Sequence, residues 1–264
     1  MNEEEIIFDD SFFEKYKKAE EKFIINAEEI GIYIDPPKMD MFRRYFKMLV
    51  ETNRVMNLTA ITEYEDVLEK HFLDSLLVEK AVSKLQKDDK NIKSLDNSSV
   101  IDIGTGAGFP GLPLKICNKN AKIHLLDSLN KRIVFLNRVI GELELKDIFT
   151  YHGRSEDLAR ERKHRESYDY AFSRAVANLS TLSEYGLPFV KAGGVLISYK
   201  AEDIEKEVKS AENAVKRLGG EITYIIRERV PGTDMIRSFV CVKKVKETPG
   251  TYPRKAGTPA KEPL

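Results

Sequence analysis

Across residues 36–57 the apolar side chains Met41, Phe42, Tyr45, Phe46, Leu49 and Val50 return every three or four positions, which predicts an amphipathic helix. Residues 10–30 show the same spacing and predict another. Pro36 and Pro37 stand at a helix start, where an N–H has no intrahelical partner and proline's missing donor removes no bond. Thr62 followed three residues later by Glu65 reads as a capping box that opens a further helix to about residue 84. The stretch QKDDKNIKSLDNSS is mostly polar and reads as a linker over 86–98, so residues 1–85 form an N-terminal helical region.

From residue 99 the period changes. SVIDIG, KIHLLD, IFTYHG, YDYAFSR and GGVLISYK are short strand-like runs, separated by helical stretches over 110–118, 130–143, 155–163, 178–187 and 202–218. Such alternation predicts a mostly parallel sheet with helices on both faces, here over residues 99–246. The last two strand-like runs, EITYIIRERV and SFVCVKKV, have only PGTDMIR between them. That is too short for a crossover helix, so the sheet should end in an antiparallel hairpin. Residues 247–264 are proline-rich, basic and without periodicity, and read as a tail.

The segment VIDIGTGAGFPGLPLKI, 100–116, carries the chemistry. Gly111 is followed by Leu112 where a nucleoside-triphosphate loop needs Lys and then Ser or Thr. Gly106, Gly108 and Gly111 do match a dinucleotide fingerprint, but Asp102 at the strand end would repel a pyrophosphate. A carboxylate there suits S-adenosylmethionine, which carries a sulfonium and an ammonium and no phosphate. Asp127, nineteen residues after Gly108, is placed to accept from ribose hydroxyls, which both ligand types possess. Ser155 and Glu156 close the third strand and Arg174 the fourth, so four strands send polar groups to one sheet edge. Asp127 and Ser155 also suit helix N-capping, which is compatible with ligand contact.

Charge adds one asymmetry. The 43 basic and 43 acidic residues cancel, yet residues 1–30 hold ten acids and four lysines, leaving the remainder at +6. That is compatible with nucleic acid but does not require it. Cys117 and Cys241 lie far apart in apolar segments, with no disulfide or metal spacing. The acidic N-terminus has no apolar signal core, and no run approaches a membrane span. A cytoplasmic protein with no metal and no membrane partner is expected.

The motifs NRVMNLTAIT, HFLDSLL, DIGTGAGFPGLPL, LLDSLNKRIVFL, GRSED, SRAVANL and YPRKAGTPAKEPL, in this order, resemble the RsmG family, also called glucose-inhibited division protein B. The resemblance runs from about residue 50 to the end. It implies a class I, Rossmann-like methyltransferase that uses S-adenosylmethionine to methylate N7 of a guanosine in 16S small-subunit ribosomal RNA, free or within an assembling 30S particle. It places the donor site on Gly104, Phe109, Asp127, Ser128, Ser155, Glu156 and Arg174, with Phe109 covering the donor's apolar flank. The residues themselves add Asp102, Gly106 and Gly108.

Guanine N7 has a free lone pair, so no general base is needed, and none stands at the four strand ends except His152 near the third. Arg174 is the one catalytic candidate, as a partner of the donor carboxylate or of an RNA phosphate. His71 is either structural or catalytic, with Asp74 on the same helical face as its orienter. Tyr199 and Tyr185 are candidates to stack on the target base, or simple packing residues. Arg254, Lys255, Lys261 and the cluster RERKHR, 160–165, are candidate phosphate contacts, or a solvated surface. The tail could equally pack as an ordered arm. A small-metabolite methyltransferase and a nicotinamide-binding oxidoreductase remain as alternatives.

Overall fold

A computed structural model describes residues 8–264; the acids Glu3, Glu4 and Glu5 of the N-terminal run lie outside the described residues. Seven strands form a single sheet: β1 (Ser99–Ile103), β2 (Lys122–Asp127), β3 (Ile148–His152), β4 (Tyr168–Arg174), β5 (Val190–Lys200), β6 (Gly220–Arg229) and β7 (Ile236–Lys244). Their order is β3-β2-β1-β4-β5-β7-β6. The first five are parallel, and β7 runs antiparallel to both β5 and β6, as the short connection demanded. β7 starts earlier than the sequence suggested, so Arg237 sits on the sheet and not in the connecting loop. Because β1 lies between β2 and β4, the winding reverses there and opens a crevice at the carboxyl edge.

The helices are α1 (Asp10–Lys15), α2 (Lys17–Glu29), α3 (Pro36–Met56), α4 (Tyr64–Val67), α5 (Asp74–Leu76), α6 (Val78–Asp88), α7 (Gly111–Cys117), α8 (Asn130–Glu142), α9 (Ser155–Leu158), α10 (Leu179–Gly186), α11 (Glu205–Arg217) and α12 (Thr258–Lys261). A wide π-turn, Leu68–Leu73, joins α4 to α5. Asp35 caps α3 by accepting from the Lys38 amide at 2.9 Å, with Pro36 and Pro37 next.

Three local expectations fail. The helix expected over 10–30 breaks at Tyr16, whose ψ of 14° is not helical. Thr62 and Glu65 form no capping box: α4 starts behind Glu63 without a side-chain cap. The nearby Thr59 hydroxyl, which accepts from the Ile61 amide, meets His71 instead. The helix expected over 155–163 stops at Leu158, because Arg160 and Arg165 turn to hold the tail.

Alternate strand residues feed two cores, as a pleated strand requires. Val100, Phe172 and Ile197 join the N-terminal side chains Phe42, Phe46 and Phe72 on one face. Ile101, Ala171 and Leu196 pack with Leu179, Ala211 and Val215 on the other. Ile92 and Leu95 of the polar stretch are buried, so that stretch packs against the sheet.

Candidate active site

The glycine loop follows β1 directly and is shaped by backbone conformation. Gly104 has φ +67°, and a Cβ there would meet Val176 Cγ2 at 2.6 Å. Gly108 has φ +105°, and a Cβ would meet the Tyr45 hydroxyl at 2.8 Å. Both positions therefore require the one residue with no side chain. The Tyr45 hydroxyl of α3 donates to the Ala107 carbonyl at 2.5 Å, so an N-terminal helix holds the loop.

Asp102 engages the loop through one oxygen only, and its Oδ1 has no protein partner among the described residues. It is fully buried beneath the loop, where Oδ2 accepts from the Thr105 hydroxyl at 2.6 Å and the Gly111 amide at 2.9 Å. Burial pushes its carboxyl up to about 6, against those two hydrogen bonds. The acid expected to attract a cationic donor holds the loop through Oδ2, and it lines neither cavity described below.

A first cleft lies at the switch point, lined by Gly104, Asp127, Ser128, Ser155, Glu156 and Tyr185, with Val176 over Gly104. Asp127 is buried. Its Oδ2 accepts from the Gly106 amide at 3.0 Å and Arg132 Nη1 at 3.1 Å, and its Oδ1 accepts from the Leu129 amide at 2.9 Å. Neither Asp127 nor Ser155 caps a helix; α8 starts behind Leu129 and α9 behind Arg154. Ser128 is exposed, and its carbonyl meets His152 Nε2 at 3.2 Å. Tyr185 belongs to this cleft and so is no partner for a base on the far side.

A second cavity of about 440 Å³ opens beyond the Ala175–Val176 turn, lined by Lys70, His71, Asp74, Arg174, Tyr199, Lys200 and Arg237 among others. Asp74, 1% exposed, is its centre. Its Oδ2 accepts from Arg174 at 2.7 Å and its Oδ1 from Arg237 at 2.5 Å. Arg174 Nη2 also donates to His71 Nδ1 at 2.9 Å. A guanidinium only donates, so Nδ1 carries no proton, and Nε2–H is left to donate to Thr59 Oγ1 at 2.7 Å. Burial first, then the charge of Arg174, lowers the His71 pKa to about 4. His71 is neutral with both nitrogens engaged, and Asp74 orients it only through Arg174.

The Phe109 ring stacks on His71 at 4.4 Å and lies under the Arg174 guanidinium at 5.3 Å, so it backs two residues of the second cavity. Arg174 is a half-buried tie between sheet and helices. Tyr199 is buried and donates to the Ser75 carbonyl at 2.9 Å, with its ring edge-on to Phe239. That burial leaves no face for base stacking.

Of the basic candidates, Arg254 is taken by Glu184: Nε donates at 3.0 Å and Nη2 at 2.7 Å. Arg165 donates to the Thr248 carbonyl at 2.7 Å and the Tyr252 carbonyl at 2.9 Å, and Arg160 to Pro253. These three hold the tail, and Lys255 and Lys261 remain exposed. Sequence reasoning missed Tyr45 as a loop anchor, Arg237 as the second partner of Asp74, and Lys200, which donates to the Ala177 carbonyl at 2.6 Å. Tyr45 had a helical core position and Lys200 a strand end; nothing in spacing tied either to the site.

A parallel sheet closed by an antiparallel hairpin, with a small polar cleft of about 140 Å³ at its switch point and no lysine in the glycine loop, defines the Rossmann-like methyltransferase class of fold. The family model described as rRNA small subunit methyltransferase G matches residues 38–229, and the chain belongs to that family, GidB. It is 47% identical over 242 residues to "Ribosomal RNA small subunit methyltransferase G" of Lachnoclostridium phytofermentans, covering 92% of this chain and 96% of the relative. It is 48% identical over 241 residues to the protein of that name from Desulforamulus reducens, covering 90% and 95%. With the one from Alkaliphilus metalliredigens it shares 45% over 247 residues, covering 93% and 99%.

Proposed function

We propose that the chain transfers the methyl group of S-adenosylmethionine to N7 of a guanosine in 16S small-subunit ribosomal RNA. The observation that carries this reading, together with family membership, is the pair of cavities meeting at the Ala175–Val176 turn. The first offers Asp127 and Glu156, each with acceptor capacity left over from its protein hydrogen bonds, to a nucleoside's hydroxyl and amino groups. Gly104 leaves room for close backbone approach, and Ser128 and Ser155 stand at the rim. S-adenosylmethionine supplies an activated methyl group when bound there.

The second cavity receives the acceptor. Its volume exceeds the roughly 300 Å³ at which ligand pockets begin. Lys70, Arg174, Lys200 and Arg237 bring four donors to its lining, each also paired with a carboxylate, and guanidinium and ammonium groups of this kind suit the phosphate of a nucleotide. Guanine N7 needs no deprotonation, and His71 has no free nitrogen with which to take a proton. The chain's contribution is alignment and exclusion of water. In a paired RNA helix the deep major groove hides N7, so the target is unpaired or splayed out. RNA is the partner this reading requires, as family membership supports.

The test is mass mapping of small-subunit RNA after incubation with the purified protein and labelled donor, using free RNA and unmethylated 30S particles in parallel. One N7-methylguanosine is expected. Label on an exocyclic amine or a ribose, or none in RNA, overturns the reading.

A further inference from the structure

The tail closes on the first cleft. The Gly257 amide donates to Glu156 Oε1 at 2.8 Å, and this is the one hydrogen bond that Glu156 makes among the described residues. Glu184 of α10 is 1% exposed, and its hydrogen-bond partners there all belong to Arg254: the amide at 2.7 Å, Nε at 3.0 Å and Nη2 at 2.7 Å. Thr181, also on α10, donates to the Pro259 carbonyl at 3.0 Å. On the other side, Arg160 and Arg165, just beyond α9, hold the carbonyls of Pro253, Tyr252 and Thr248. The arm thus fastens α9, which carries Ser155 and Glu156, to α10, which carries Tyr185, and these helices form facing walls of the cleft.

We infer that residues 248–264 are a positioning element for the nucleoside end of the methyl donor, with Arg254 as the anchor and the Gly257 amide as the contact that aims Glu156. The inference rests on the reading that the first cleft holds the donor. A carboxylate with one partner takes its orientation from that partner, and Oε2 of Glu156 is left for the ligand. A buried Glu184 without Arg254 would lose its only counter-charge, so the arm and α10 hold their places together. Arg254 therefore acts through Glu184 and Gly257 and does not contact RNA.

Isothermal titration of S-adenosylmethionine and of 5′-methylthioadenosine into the full chain, Arg254→Ala and Thr181→Val tests this, beside the KM for small-subunit RNA. Thr181→Val keeps the buried ion pair and removes one tie, which guards against loss of folding in the other variant. Arg254→Ala should weaken both ligands about tenfold at unchanged stoichiometry, Thr181→Val about threefold, with the RNA KM unmoved. Equal loss for both ligands marks the adenosine end, which they share, and the unchanged stoichiometry separates this from a loss of folded protein. Donor affinity within about twofold of the parent in both variants, or a rise in RNA KM alone, overturns the inference and leaves the functional reading standing. If the parent chain binds neither ligand, both fall.

Discussion

The two cavities at the carboxyl edge are built by different means. The first is made of one short loop and the ends of neighbouring strands, and Gly104, Asp127, Ser155 and Glu156 arrive there by chain order alone. The second is held by Asp74, whose partners Arg174 and Arg237 lie 100 and 163 residues away. The first depends on backbone freedom and on bonds made mostly within about twenty residues, such as Asp127 to the Gly106 and Leu129 amides and to Arg132; the second depends on a buried charge cluster assembled from distant elements. Buried charge is the more brittle arrangement, because removing one partner strands the others.

Asp74→Ala should break that contrast most sharply. It leaves two largely buried guanidiniums facing one another, which destabilises by about 3–5 kcal/mol. Urea unfolding should show a loss of that size, and a change below about 1 kcal/mol would put Asp74 with ordinary surface pairs. Asp127→Ala strikes the first cavity, where lost hydrogen bonds to a charged group are worth about 1.5–3 kcal/mol each. Donor affinity should fall at least about tenfold while the circular dichroism spectrum is kept. An unaltered titration would remove Asp127 from the site.

Acid should act on the buried-charge side next. Burial lowers both His71 and His124 to about 4, so each is neutral in the fold, whereas the unfolded chain binds protons below about 6.5. Their contribution is therefore complete above about 6.5 and is lost as pH falls toward 4. Asp102, raised to about 6 mainly by burial, has the opposite sign: it takes up a proton in the fold first, so acidification between about 6 and 4 favours the native state. Among these three groups, two histidines against one aspartate leave a loss of about 1.4 kcal/mol per pH unit between about 6 and 4, and His164, lowered by burial, adds in the same direction. Melting temperatures at pH 7, 6 and 5 should fall in order; a rise would show that Asp102 dominates. Tyr45→Phe is the mildest change. Loss of its bond to Ala107 should destabilise by about 1 kcal/mol and soften donor binding, because the hydroxyl joins the helical region to the glycine loop. No effect on either would uncouple the two regions.

The alternation after residue 99, the closing hairpin and the glycine loop were legible because period, turn chemistry and the need for positive φ at Gly104 are written locally. Asp127 and Glu156 followed from strand ends. Asp102 misled, since a strand-end acid can point outward or beneath the loop, and only the packing of Thr105 and Gly111 chose. Arg254 misled in the same way: a basic tail residue looks like a phosphate contact until Glu184 is found beside it.

Sequence alone determined which residues form strands, where the chain must turn, that the loop could approach a ligand closely, and which family the chain resembles. The tertiary structure decided which charges are paired, that His71 is neutral and fully engaged, and that the tail lies against the first cleft. The reason is range. Backbone conformation and hydrophobic period act over a few residues, whereas a buried carboxylate finds its partners across a hundred, and no local pattern encodes that meeting.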